Sequence, residues 1–244
     1  MNIDFTNRRV IVTGGAGYLG SAIADTILAA GGFVAVPCEH ERELERVGGK
    51  GHPQLAAFGP VNLADESAVE SFFDDACATW GSTAAAPPWA VINAAGGFAW
   101  KPLLEMNAAV FTDQWRMNAL TNFLCTLAGV RRMVAQKSGG RIVNVTARPA
   151  LEPRLGANMS AYTASKAAVA ALTQSLAEEL ASSGILVNAV VPSVMDTPAN
   201  RRDMAGQDPS KWAKVSEVAA TVAFLASPQN AVTRGGLVPV YGQT

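Results

Sequence analysis

The chain has 244 residues, 49% hydrophobic and 16% charged, with a net charge of −1. This is the composition of one globular domain with a sizeable core, and it excludes a disordered or fibrous chain. The near-neutral balance, with no basic run, argues against nucleic acid as a partner, because no cluster of cations is there to release counterions. Cys38, Cys77 and Cys125 are odd in number, lie far apart and match no zinc or disulfide spacing. No metal site is expected, and a reducing, cytoplasmic setting fits. The first ten residues carry an early acid and no signal-peptide core. The charge-free run from Ala76 to Trp100 is long enough to raise membrane crossing. Pro87, Pro88, Asn93 and several glycines break it, so it reads as helix end, loop and buried strand.

Arg9–Thr13 (RVIVT) is a short β-branched run that reads as a buried parallel strand. Gly14-Gly15-Ala16-Gly17-Tyr18-Leu19-Gly20 follows at once, then a helical pattern over Ser21–Ala30. Strand, glycine turn and helix form a dinucleotide-binding context, although Gly14, Gly17 and Gly20 depart from strict G-x-G-x-x-G spacing. Glycines let the turn take positive φ and let a pyrophosphate approach the backbone at a helix N-terminus. Phe33–Val36 is a second strand, with Cys38 and Glu39 beyond it. An acid there accepts bonds from ribose hydroxyls and repels a 2′-phosphate; with Glu39 present and no Arg directly after it, NAD is favoured over NADP.

Glu41–Val47 reads as a charged, exposed helix, Val61–Asp65 as the end of a third strand, and Glu66–Trp80 as an amphipathic helix. Trp89–Asn93 is a fourth strand, closed by the small-residue turn Ala94-Ala95-Gly96-Gly97, where a cofactor ribose could lie against the backbone. Phe111–Gln136 reads as one long helix with Asn118 on an apolar segment, and a buried Asn must find partners. Gly140–Thr146 is a fifth strand and Ile185–Val191 a sixth, ended by Pro192-Ser193. Asp196–Lys214 reads as a mobile loop or short-helix insert, Ser216–Ala226 as a helix, and Leu237–Val240 as a last strand. The alternation implies a doubly wound parallel sheet in one α/β domain over residues 1–244, with a substrate loop at about 193–214 and ligands at the carboxyl ends of the strands.

Ser160–Leu180 carries the chemistry. Tyr162 and Lys166 lie four apart, on one helical face. An ammonium beside a phenol favours the phenolate, so the Tyr could act as acid or base nearer neutral pH. The residues after the pair are Ala-rich and almost uncharged, which suits a helix buried against a sheet or a second subunit.

Taken together, Thr13–Gly20, Asn93–Gly96, Asn118, Tyr162–Lys166 and Pro192-Ser193 with Thr197 resemble the short-chain dehydrogenase/reductase family over nearly the whole chain. The resemblance implies a Rossmann fold and NAD (or NADP) as cofactor. It implies Tyr162 as general acid/base, Lys166 as the residue that binds the nicotinamide ribose and lowers the Tyr pKa, and Asn118 as holder of a relay water. It assigns Gly14, Gly17, Tyr18, Leu19, Gly20, Glu39, Asn62, Leu63, Asn93, Ala94, Ala95, Gly96, Pro192, Val194 and Thr197 to the cofactor, with Tyr162 and Lys166. It also implies a homodimer or homotetramer built on the Phe111–Gln136 and Ser160–Leu180 helices.

Three positions depart from the family pattern. The usual catalytic Ser falls on Ala147, and Thr146 should point to the other face of the strand. Cys38 stands where an acid is usual, and Ser193 where a Gly follows the Pro. Quinonoid dihydropteridine reductases, which also lack the Ser, are similar to this chain at Gly14–Ser21, Ala95–Phe98 and Asp196–Arg201. Phe98, Trp100, Met204 and Trp212 could line an apolar pocket, and Arg148 or Arg154 could meet an acidic substrate. The expected activity is hydride transfer with a small carbonyl or conjugated quinonoid acceptor. The competing expectation, prompted by Ala147, is a cofactor-binding sensor with little turnover.

Overall fold

The computed structural model describes residues 3–80 and 86–244. Seven segments form one parallel sheet: Arg9–Thr13 (β1), Phe33–Pro37 (β2), Leu55–Phe58 (β3), Ala90–Asn93 (β4), Gly140–Val145 (β5), Ile185–Pro192 (β6) and Leu237–Val240 (β9). Their order is β3-β2-β1-β4-β5-β6-β9. Val10, Val12, Val34, Val36 and Ile92 pack toward helices Tyr18–Ala29 (α1) and Val215–Ala226 (α8). Ile11, Ala35, Val91, Ile142 and Val187 pack toward the opposite layer, which holds Glu66–Thr79 (α2), Thr121–Gln136 (α4) and Ser160–Glu179 (α6). Alternate residues thus feed two cores, which is why the strands are apolar throughout.

The strand order reverses between β1 and β4, whose carboxyl ends carry the Gly14–Gly20 and Ala94–Gly97 turns. A doubly wound sheet opens its ligand crevice at that point.

The structure corrects several expectations. The third strand is Leu55–Phe58, in register with Val34–Pro37, and Val61–Asp65 is the connection that follows it. Pro60 has no N–H to extend the ladder, and Asp65 is already the cap of α2, accepting from the Ala68 N–H at 3.0 Å. The charged segment is a 3₁₀ helix, Glu41–Arg46. The single long helix is two α-helices, Ala108–Trp115 (α3) and α4, joined by a π turn over Arg116–Leu120. The insert after β6 is folded: Met195–Asp196 (β7) pairs with Ala213–Lys214 (β8), Pro198–Asp203 (α7) lies between them, and Trp212 is buried. The loop expected near 81–85 lies outside the described residues.

Candidate active site

The two turns at the crevice are stitched together. The Thr13 hydroxyl, at the end of β1, accepts the Ala95 N–H at 3.0 Å. Gly14 has φ +68°, and a Cβ there would lie 2.8 Å from the Ala95 nitrogen. A Cβ on Gly20 would run into the Gly14 carbonyl, and one on Gly17 would sit 3.2 Å from the same oxygen. The turn therefore closes only with glycine at Gly14 and Gly20. Gly17 caps α1, whose first amides have no intrahelical partner. This cradle of bare backbone at a 12-residue helix fits a pyrophosphate.

Tyr162 and Lys166 stand in the first two turns of α6. The Lys166 ammonium is buried and donates to the Val145 carbonyl at 2.8 Å. Asn118, in the π turn, is 1% exposed. Its oxygen accepts the Gly97 N–H at 3.1 Å, and its two N–H groups are shared among the Gly97 carbonyl, the Gln114 carbonyl and the Ser165 hydroxyl. The Ser165 hydroxyl in turn donates to the Tyr162 carbonyl at 2.8 Å. A Cβ on Gly96 would lie 2.6 Å from the Asn118 oxygen and 3.2 Å from Lys166 Nζ. The turn after β4, the π turn and the start of α6 therefore meet at one point.

The electrostatics there correct the sequence reading. Burial drives the Tyr162 phenol up to about 12 and the Lys166 ammonium down to about 8. Tyr162 as a whole is half-buried. Desolvation disfavours both charged forms and outweighs the attraction that would create a phenolate. No hydrogen bond joins Nζ to the phenol among the described residues; Nζ donates to the Val145 carbonyl. Phe98 stacks edge-to-face on the Tyr162 ring, with centroids 5.0 Å apart, and is itself exposed.

Thr146 is buried, and its hydroxyl donates to the Lys166 carbonyl at 2.7 Å, so it offers nothing to a ligand. Ala147 follows it and precedes the short helix Arg148–Leu151 (α5). Arg148 pairs with Glu152 and stacks on Tyr241, while Arg154 is exposed with no ion pair among the described residues. Trp100 is exposed, Met204 half-buried, and Trp212 belongs to the packing of the insert.

At the end of β2, Cys38 is buried with its thiol pushed up to about 11, chiefly by burial, and Glu39 is exposed. The Glu43 carboxylate accepts the Glu39 N–H at 2.9 Å, a contact the sequence did not reveal. Asn62 uses its oxygen on the Ala64 N–H, and Leu63 packs on the α2 layer. Asn93 is buried and donates to Thr126 and Asn144, at the floor of the crevice. Beyond Pro192, the Val194 carbonyl accepts the Ala213 N–H, and Thr197 caps α7 through the Asn200 N–H at 3.1 Å. Among the described residues no three His, Cys, Asp or Glu side chains converge as a metal site. None of the helices is long and apolar enough to cross a membrane.

Comparison with known proteins identifies the family. The short chain dehydrogenase family model matches residues 8–208. The chain is 34% identical to a cis-4-hydroxycyclohexanecarboxylate dehydrogenase of Sinomonas cyclohexanicum, covering 99% of this chain and 98% of that protein. It is 31% identical to a galactitol 2-dehydrogenase of Rhizobium johnstonii (95% and 93%) and 31% identical to a 2,5-dichloro-2,5-cyclohexadiene-1,4-diol dehydrogenase of Sphingobium indicum (84% and 81%). A crystal structure of a short chain dehydrogenase from Mycobacterium smegmatis superposes with a TM-score of 0.80 over 100% of this chain and 97% of that one, at 26% identity. The chain belongs to the short chain dehydrogenase family and is an NAD(P)-dependent oxidoreductase.

Proposed function

We propose that the chain interconverts a ring alcohol and its carbonyl or conjugated quinonoid counterpart, with Tyr162 as the group that moves the proton. The observation that carries this is the meeting of Lys166, Asn118 and Gly96 at the turn after β4, with Tyr162 one helical turn before Lys166. The nicotinamide cofactor supplies or accepts the hydride when bound. Gly14–Gly20 would hold its pyrophosphate, Lys166 its nicotinamide ribose, and Glu39 its adenosine ribose, which favours NAD over NADP. Tyr162 would meet the reacting oxygen with its phenol hydroxyl. Its raised proton affinity keeps the phenol protonated, so the proton is present to be given up in carbonyl reduction, and loss of that proton in the reverse direction is helped by the Lys166 charge one turn away.

Asn118 is a positioning residue: its carboxamide fixes Gly97, and through Ser165 it touches the turn that carries Tyr162. No side-chain hydroxyl stands at Ala147 to share the substrate oxygen, which removes about 3 kcal/mol of transition-state stabilisation for a plain ketone. A conjugated acceptor spreads the developing charge and needs that donor less, so Ala147 favours such a substrate. The exposed Phe98 and Trp100 suit an apolar ring, as do the ring substrates in the names of two relatives.

The test supplies NADH and NADPH with saturated cyclic ketones, quinones and quinonoid pterins. Turnover should be fastest with conjugated acceptors and NADH. Ala147→Ser should raise saturated-ketone reduction by about tenfold or more. Cofactor binding without turnover on every acceptor would instead mark a sensor.

A further inference from the structure

Three loops lie beyond the carboxyl ends of β5 and β6. One follows β5 and holds Ala147 and α5, one follows β6 and holds Ser193, and the third is the closing stretch of the insert, Lys211–Ala213. The segment Tyr241–Thr244, after β9, touches all three. Arg148 Nε and Nη2 clasp the Glu152 carboxylate at 2.9 and 3.3 Å. Its Nη1 donates to the Thr244 carbonyl at 2.8 Å, and its guanidinium lies 4.5 Å over the Tyr241 ring. The Thr244 and Ser193 hydroxyls are hydrogen-bonded at 2.8 Å, and the Gln243 N–H donates to the Lys211 carbonyl at 2.8 Å. Gly242 has φ +66° and passes so close to the insert that a Cβ would lie 2.8 Å from both the Ala213 nitrogen and the Lys211 oxygen.

Arg148 directly follows Ala147 in the chain, so what fixes one constrains the other. The guanidinium uses its fork and its flat face at once, which a lysine cannot do. The geometry points to Arg148 as a positioning residue that, through Tyr241–Thr244, holds the Ala147 loop and the Met195–Lys214 insert in fixed relation over the acceptor. This rests on the reading of Ala147 and the insert as the acceptor side.

Hydrogen exchange and trypsin cleavage after Arg202 and Lys211 test the link without reference to turnover. In Arg148→Gln and Arg148→Lys, exchange across residues 195–214 and 241–244 should quicken about tenfold, with faster cleavage. Melting temperature should shift by only about 2 °C, because neither core is touched. Acceptor KM should rise about tenfold while kcat stays within about threefold. Glu152→Gln, which keeps the Tyr241 stacking and the Thr244 bond, should move the same readouts less. Unchanged exchange and cleavage would overturn the proposal whatever the enzyme's activity. So would faster exchange with an unaltered KM, or a large melting shift with parallel loss of cofactor binding. If instead Tyr162→Phe kept full turnover, the functional reading would fall while the exchange result stood.

Discussion

Tyr162 and Lys166 are both held toward their neutral forms by burial, and the two shifts lead to different measurements. Tyr162→Phe removes the proton-moving group and leaves the glycine cradle intact. Turnover should fall by about 100-fold or more, with cofactor affinity, read by fluorescence titration, nearly unchanged. Lys166 has its proton affinity lowered from 10.5 to about 8, so between those pH values the unfolded chain binds the proton and the folded one does not. Stability from this group therefore rises with pH across that window. Relative to Lys166→Met, the wild type should gain about 3 kcal/mol from pH 8 to 10.5, measured by urea unfolding at each pH. A flat difference would mean that the ammonium is better solvated than its burial implies. At this scale the four-residue spacing of Tyr162 and Lys166 was legible in the sequence. That Lys166 bonds Val145 rather than the phenol was not, because the carbonyl comes from a strand 21 residues away.

The π turn decides where Asn118 points. An ordinary α-helix through Phe111–Gln136 was the natural reading of an unbroken pattern free of Pro and Gly breakers near Asn118. The turn Arg116–Leu120 inserts one extra residue, a feature common at functional sites, and the Asn118 carboxamide meets the Gly97 backbone from it. Asn118→Ala leaves both polar groups of Gly97 without their protein partner. It should cost about 2–3 kcal/mol in chemical denaturation and lower kcat more than it weakens cofactor binding. Equal losses in the two would place Asn118 with the cofactor rather than with the Tyr162 turn. Val61–Asp65 was misread for a related reason: VNLAD has a strand's composition, but which segment pairs with β2 is settled by Leu55–Phe58 entering the register first.

At the scale of the molecule, α3, the π turn and α4 leave Phe111, Trp115, Met117, Phe123 and Val134 between 41% and 47% exposed. With the family resemblance, this supports a self-paired helix face. Light scattering should give a dimer or tetramer, and Trp115→Glu should shift it toward monomer. The strand–helix alternation outside the third strand, the π turn and the insert, the glycine turn and the Tyr–Lys pair were determined by the sequence alone, since each depends on residues close in the chain. The tertiary structure decided which groups are left to do chemistry. Thr146 is spent on Lys166, Arg148 is committed to Tyr241–Thr244, and the insert after β6 folds onto that same segment. Those partners lie from 20 to 96 residues apart, and only closing the sheet brings them within hydrogen-bond reach.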